Sequence, residues 1–201
     1  MVRADAARNR RLLMDAASAE FAEHGMDVSI ARIATRAGVG KGTVFRHFET
    51  KEQLLAAIFC DQIDAIAATG AKLVDAHDPG AALFEFMARG VEVQAHDLSF
   101  CQAAAALSHS EASVRTSIRR LEDMADRLTG RAQQAGQVRD DVSGADIVLL
   151  LTAASQAPLP LGDIQPGLWR RYLGVIFDGL RPQCASPLPV PAPRLSYSTG
   201  V

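Results

Sequence analysis

Apolar residues recur along this chain at intervals of three and four, in segments separated by glycine or proline. That spacing puts them on one face of an α-helix, and no set of segments shows the two-residue alternation of strands. Leu13, Ala17 and Phe21 make the first stripe, which predicts a helix from about Asn9 to His24, closed by Gly25. Ile30, Ile33, Ala34 and Ala37 make a second, short one. Ser29 stands before it as an N-cap, because its hydroxyl can accept from the free amides of a first turn. Gly38 follows it, and glycine enters the left-handed region at little cost. A third short helix fits Lys41 to His47, with Val44 and Phe48 inward and Val39 plugging the angle between the two helices. This is the pattern of a helix-turn-helix.

A longer helix is predicted from about Lys51 into the seventies, capped by Thr50, with Leu54, Leu55, Ile58, Ile63 and Ile66 on its apolar side. Asp78-Pro79-Gly80 breaks the chain, since proline suits a helix start and not its interior. Beyond it, Leu83 to Val93 reads as a helix buried on much of its surface. Ser99 to Leu107 and the amphipathic stretch Glu111 to Gln134 follow, then a helix opened by Ser143 or Gly144 and a last one from about Leu168 to Leu180. The break over 157–167 carries Leu159, Leu161 and Ile164, which are oddly apolar for a loop. The predicted fold class is all-α: a flexible arm over 1–7, a three-helix domain carrying the helix-turn-helix over 8–66, a C-terminal helical domain over 67–183, and a disordered, proline-rich tail over 184–201.

Charge changes this picture modestly. The 201 residues carry a formal net charge of −2. Up to Leu55 there are nine basic and seven acidic residues, against 12 and 16 in the remainder, so the positive end coincides with the helix-turn-helix. Arg3, Arg8, Arg10 and Arg11 crowd the start of the first helix against its dipole, as a phosphate-binding arm or a solvated one would have them. Cys60, Cys101 and Cys184 are odd in number and far apart, without zinc spacing or a disulfide framework. With a polar, Arg-rich start and no apolar run judged long enough for a membrane span, the expected setting is the reducing cytoplasm, with no membrane partner.

The third helix carries the candidate chemistry. Its outward residues Lys41, Gly42, Thr43, Phe45, Arg46 and His47 supply cations, a hydroxyl and bare backbone, which suit phosphates and base edges. The run Ala37-Gly38-Val39-Gly40-Lys41-Gly42-Thr43-Val44-Phe45-Arg46-His47-Phe48, followed by Lys51-Glu52-Gln53-Leu54-Leu55, closely resembles the DNA-binding domain of the TetR (tetracycline-repressor-type) family of bacterial regulators. Leu13, Ala16, Ala17, Phe21 and Gly25 extend the match, which covers about the first third of the chain. The resemblance implies phosphate contacts at Phe45, His47 and Lys51, and the full DNA-facing set expected is Ser29, Arg32, Arg36, Lys41, Gly42, Thr43, Phe45, Arg46, His47 and Lys51. Two positions depart from the family pattern. Phe45 replaces the usual tyrosine and loses its phenolic hydrogen bond; Gly40 replaces a capping serine, at a cost of about a few tenths of a kcal/mol.

The resemblance also implies a repressor released from its operator by a small molecule. Phe84, Met87, His96, Phe100, Gln102, His109 and Met124 are the candidate pocket residues, although the bland reading of most is simply core. The last two helices are apolar beyond one stripe, through Leu149-Leu150-Leu151 and Trp169, Tyr172 and Ile176, as a homodimer interface requires. Two-fold pairing would set the recognition helices about one DNA turn apart, roughly 34–36 Å, to match an inverted repeat in double-stranded DNA. No catalytic arrangement, cofactor or metal is expected. Gly38-Val-Gly-Lys-Gly-Thr43 lacks the leading glycine and the strand of a phosphate loop, and His96, Asp97, Cys101 and His109 do not share one helical face. Two alternatives stay open: a DNA-binding regulator without an effector, and a helical small-molecule-binding protein or enzyme with secondary DNA binding.

Overall fold

The computed structural model describes residues 2–96, 98–165 and 167–193, with side chains described from residue 6 except at 98, 99, 162–164 and 184. Asp97, the side chain of Ile164 and the tail beyond Pro193 lie outside the described residues. Within them the chain is all helical: α1 (Val2–His24), α2 (Ile30–Arg36), α3 (Lys41–His47), α4 (Lys51–Leu73), α5 (Pro79–His96), α6 (Leu98–Ala106), α7 (Ala112–Gln134), α8 (Gly144–Gln156) and α9 (Trp169–Gly179), with single 3₁₀ turns at Leu107–His109, Leu159–Ile164 and Pro182–Cys184.

Local chemistry sets the ends. Ser29 Oγ accepts from the Arg32 amide at 3.3 Å, and Thr50 Oγ1 from the Gln53 amide at 3.1 Å. Asp78 accepts from the Ala81 amide at 3.0 Å, with Pro79 opening α5, where its missing N–H costs nothing. Ser143 and Asp146 form a reciprocal capping box at the start of α8. Gly38, at φ +68°, ends α2: its amide bonds Thr35 O at 3.1 Å, and the Val39 amide bonds Ala34 O at 3.0 Å. These are the two bonds of a Schellman stop. The first helix begins at Val2, well before the expected Asn9, because Ala-Asp-Ala-Ala-Arg contains no breaker and good helix formers.

The chain folds as two compact units. The first takes residues up to Asp61 together with Ser99–Arg115; the second takes Gln62–Leu98 and the chain from Thr116. In the first unit Leu13, Ala17 and Phe21 of α1 are buried with Ile33, Val44, Phe48, Leu54 and Ile58. Phe100 of α6 joins that core, its ring 6.0 Å from Phe21. The residues of α6 thus belong with the N-terminal helices, a choice of partner that periodicity does not encode. In the second unit α5 packs on α8 and α9, with Leu83, Phe86, Met87, Val91, Leu121, Leu128, Ile147, Leu151 and Leu173 buried. Each such side chain withdrawn from water stabilises by about 1.5–3 kcal/mol before entropy is counted.

Two expectations need revision. By length and mean hydropathy, Lys51–Leu73 and Gly144–Leu161 do reach what a membrane span requires. In α4 that apolarity is used internally, since Leu54, Leu55, Ile58, Phe59, Ile63 and Ile66 are all buried in the fold. The proline-rich segment is also not wholly without partners. Arg139 donates to the Ser186 carbonyl at 2.5 Å, and the Leu188 amide donates to Asp141. The Arg139 ion pair, at 2.5 Å, holds the Asp141 carboxyl down to about 2.

Candidate nucleic-acid interface

The candidate surface lies on α3, which packs against α2. Val44 is fully buried and Phe48 nearly so, and they turn the opposite side of the helix outward. Gly40 stands at the N-cap with no side-chain hydrogen bond, as its lack of a hydroxyl dictates. Lys41, Gly42 and Arg46 are exposed, and Thr43 and His47 half-buried. Phe45 is 50% exposed, an unusual place for a large aromatic. Among the described residues, no ion pair engages Lys41 or Arg46. At the far end of α3, Arg10 lies 4.3 Å over the Phe48 ring and donates to the His47 carbonyl at 3.5 Å.

Arg32 and Arg36 stand differently. Glu20, on the buried stripe of α1 and only 4% exposed, accepts from Arg32 Nε at 2.5 Å and from Arg36 Nη1 at 3.1 Å. Arg36 also forks onto Glu23 at 2.6 and 2.7 Å. Arg32 Nη2 lies 2.6 Å from His24 Nε2. Arginine only donates, so Nε2 accepts and the ring proton sits on Nδ1, which faces Glu20 at 3.3 Å. Burial pushes the Glu20 carboxyl up, but the hydrogen bonds from Arg32 and Arg36 outweigh it and hold the group below its ordinary value. Glu23 is lowered chiefly by Arg36, whose own pKa is raised in turn. Glu20, Glu23 and His24 also lie close enough to share a cation, but the two guanidiniums already supply that charge. The network clamps α2 to α1, and with it the turn that aims α3.

The remaining expected residues divide similarly. Ser29 spends its hydroxyl on capping. The Lys51 ammonium donates to the Met26 carbonyl, with its charge 5.7 Å from the Phe21 ring centre. Arg11 is paired with Asp15 at 3.1 Å and Asp61 at 2.8 Å. Reasoning from the sequence missed Glu20, although a carboxylate in register with Leu13, Ala17 and Phe21 was a legible signal of a buried charge needing a partner.

The expected pocket residues are divided between the two units. Phe100, Gln102 and His109 belong to the first unit, Phe84, Met87, His96 and Met124 to the second. Met87 is fully buried core, and Phe84 meets Phe177 edge-on at 5.1 Å. A cavity of about 710 Å³ in the second unit is lined by His96 alone of that set, together with Arg89, Glu92, Ser155, Trp169 and Arg170 among others.

Comparison with known proteins gives consistent matches across the chain. The profile described as "Bacterial regulatory proteins, tetR family" matches residues 13–58, and "Transcriptional regulator SbtR-like, C-terminal domain" matches residues 78–182. The crystal structure of the TetR transcription regulatory protein from Mycobacterium vanbaalenii is 36% identical, with a TM-score of 0.65 over 90% of this chain and 99% of that one. TetR transcriptional regulator SCO0520 from Streptomyces coelicolor is 27% identical, with a TM-score of 0.64 over 87% of this chain and 99% of that one. The HTH-type transcriptional repressor Rv1474c of Mycobacterium tuberculosis is 29% identical across 90% of this chain and 84% of its own length.

Proposed function

The chain belongs to the TetR family of bacterial transcriptional regulators and is a DNA-binding regulator of transcription; from that premise we propose that it is a homodimeric repressor, released from an inverted-repeat operator by a small molecule. One observation carries the reading. On α3 the outward cations Lys41 and Arg46 are left without an intramolecular ion pair among the described residues, whereas Arg32 and Arg36 are neutralised by Glu20 and Glu23. Lys41, Gly42, Thr43, Phe45, Arg46 and His47 meet the DNA. Arg32, Arg36 and Lys51 act mainly by fixing the helices that present them. Ser29 caps α2, and its place at the helix start keeps it within reach of a phosphate.

Dimerisation uses α8 and α9. Leu149 is 48% and Val175 63% exposed, and half-buried Val148, Leu150, Tyr172 and Ile176 continue an apolar face that a second copy would cover. The effector occupies the cavity of the second unit, where His96 is one of the polar liners. Its binding favours a state in which α4, which runs from one unit into the other, holds the recognition helices out of register with the DNA. The relative from Mycobacterium tuberculosis named a repressor supports the direction of control. A mobility-shift assay on the DNA upstream of the chain's own gene tests the assignment. Arg46→Ala should weaken binding by about tenfold or more with the fold intact. Unchanged binding would remove Arg46 from the interface.

A further inference from the structure

We propose that the cavity of the second unit takes an amphipathic organic acid, with its carboxylate on Arg170 and Arg89 and its apolar body against Val93, Leu159, Leu168 and Trp169. The inference rests on the reading that this cavity holds the effector. At about 710 Å³ it has the size of a small-molecule site. Among the described residues its charges are unequal: two guanidiniums share one carboxylate. Arg89 holds Glu92 at 2.7 Å, and Arg170 reaches the same group only at 3.8 Å. Arg170 is therefore the under-paired cation at the site.

Its neighbours favour one position. The guanidinium lies 4.4 Å over the Trp169 ring. Gly167 turns the chain at φ +79°, and a Cβ there would come 2.7 Å from Arg170 Nη1. Another residue would strain the turn at that positive φ, and the guanidinium end would have to shift to make room. A planar guanidinium held on an aromatic face offers its edge to a carboxylate in two parallel hydrogen bonds. The wall supplies the other half of the ligand's chemistry, since Trp169, Leu168, Val93 and Leu159 are apolar. Ser155 is only 5% exposed, with its hydroxyl 2.9 Å from the Thr152 carbonyl and 3.3 Å from Gln94 Oε1, and it adds a fixed polar point for orientation. A cationic ligand would meet two arginines, and a fully polar one would leave the apolar wall unused. Gln62 of α4 also lines the cavity, so an occupant would touch the helix that continues toward α3.

Trp169 is the chain's one tryptophan, so its emission reports on this cavity directly. The full-length protein is titrated with octanoate, 1-octanol and octylamine, equal in chain length and different in charge. Octanoate should change Trp169 emission saturably, and the alcohol and amine should bind about tenfold more weakly or worse. By calorimetry, Arg170→Gln should weaken octanoate about tenfold, and Glu92→Gln, which frees both arginines, should tighten it several-fold. Both side chains are about half-exposed or more, so neither change threatens the fold. Equal binding of the three compounds, no binding of octanoate, or an affinity unmoved by both substitutions overturns the proposal. Octanoate that binds as expected yet leaves operator affinity unchanged upholds the ligand class and rejects the effector reading. Operator release by a neutral compound that leaves Trp169 unaltered upholds effector control and rejects this cavity as its site.

Discussion

The Glu20 carboxylate sits among Arg32, Arg36 and His24, and its pKa states how the cluster works. Burial opposes ionisation; the two arginines prevail. A carboxylate whose folded pKa lies below its ordinary value of 4.5 stabilises the fold fully above that value. The stabilisation is then lost as pH falls through the lower, folded value. Glu20→Gln should therefore melt at a lower temperature at neutral pH, and the gap from wild type should narrow below about pH 4.5. Thermal scans from neutral to acid pH check this; a gap constant with pH would show that the ionised group does not stabilise the fold. Phe45 offers a second residue-scale test. With half its surface in solvent, Phe45→Tyr leaves stability unchanged and restores a phenolic donor. Affinity should rise by a similar factor for operator and unrelated DNA, because phosphate contacts carry no sequence information. A selective rise for the operator would place the ring against a base.

At the scale of elements, most of the helices were legible because their ends are written in local chemistry. Ser29, Gly38, Thr50, Pro79 and Ser143 each stop or start a helix by a hydrogen bond or a dihedral they supply themselves. The course of α1 before Asn9 was not legible, since helix-forming residues at a terminus look like a solvated arm. Nor was the docking of α6 with α1, which depends on Phe100 meeting Phe21 across a long sequence separation. The division of the expected pocket residues between two units was hidden for the same reason: periodicity tells inward from outward, not which interior. Helix α3 carries its own test. Gly40→Ser should add the missing cap and stabilise by about a few tenths of a kcal/mol, and a Cβ at that position meets nothing within 4 Å. A denaturant midpoint that shifts upward, with an unchanged slope, is the expected result. A downward shift would mean that the start of α3 needs glycine for its backbone.

For the molecule as a whole, the proposed two-fold pairing would join the apolar face of α8 and α9 to the spacing of the recognition helices. Val175→Glu places a charge at the centre of the proposed interface, at a position 63% exposed in the single chain. Sedimentation should show a monomer that keeps its helical content and loses the inverted-repeat operator; a dimer of unchanged affinity would move the interface elsewhere. The central claim, that α3 presents unneutralised charge to DNA, is tested most directly by operator affinity across a salt series for the wild type and Lys41→Ala/Arg46→Ala. The expected result is an affinity lower by about tenfold to a hundredfold, a salt slope shallower by about one for each phosphate that is no longer neutralised, and an unchanged melting temperature. A double variant that binds the same DNA with wild-type affinity and wild-type salt slope would contradict the account.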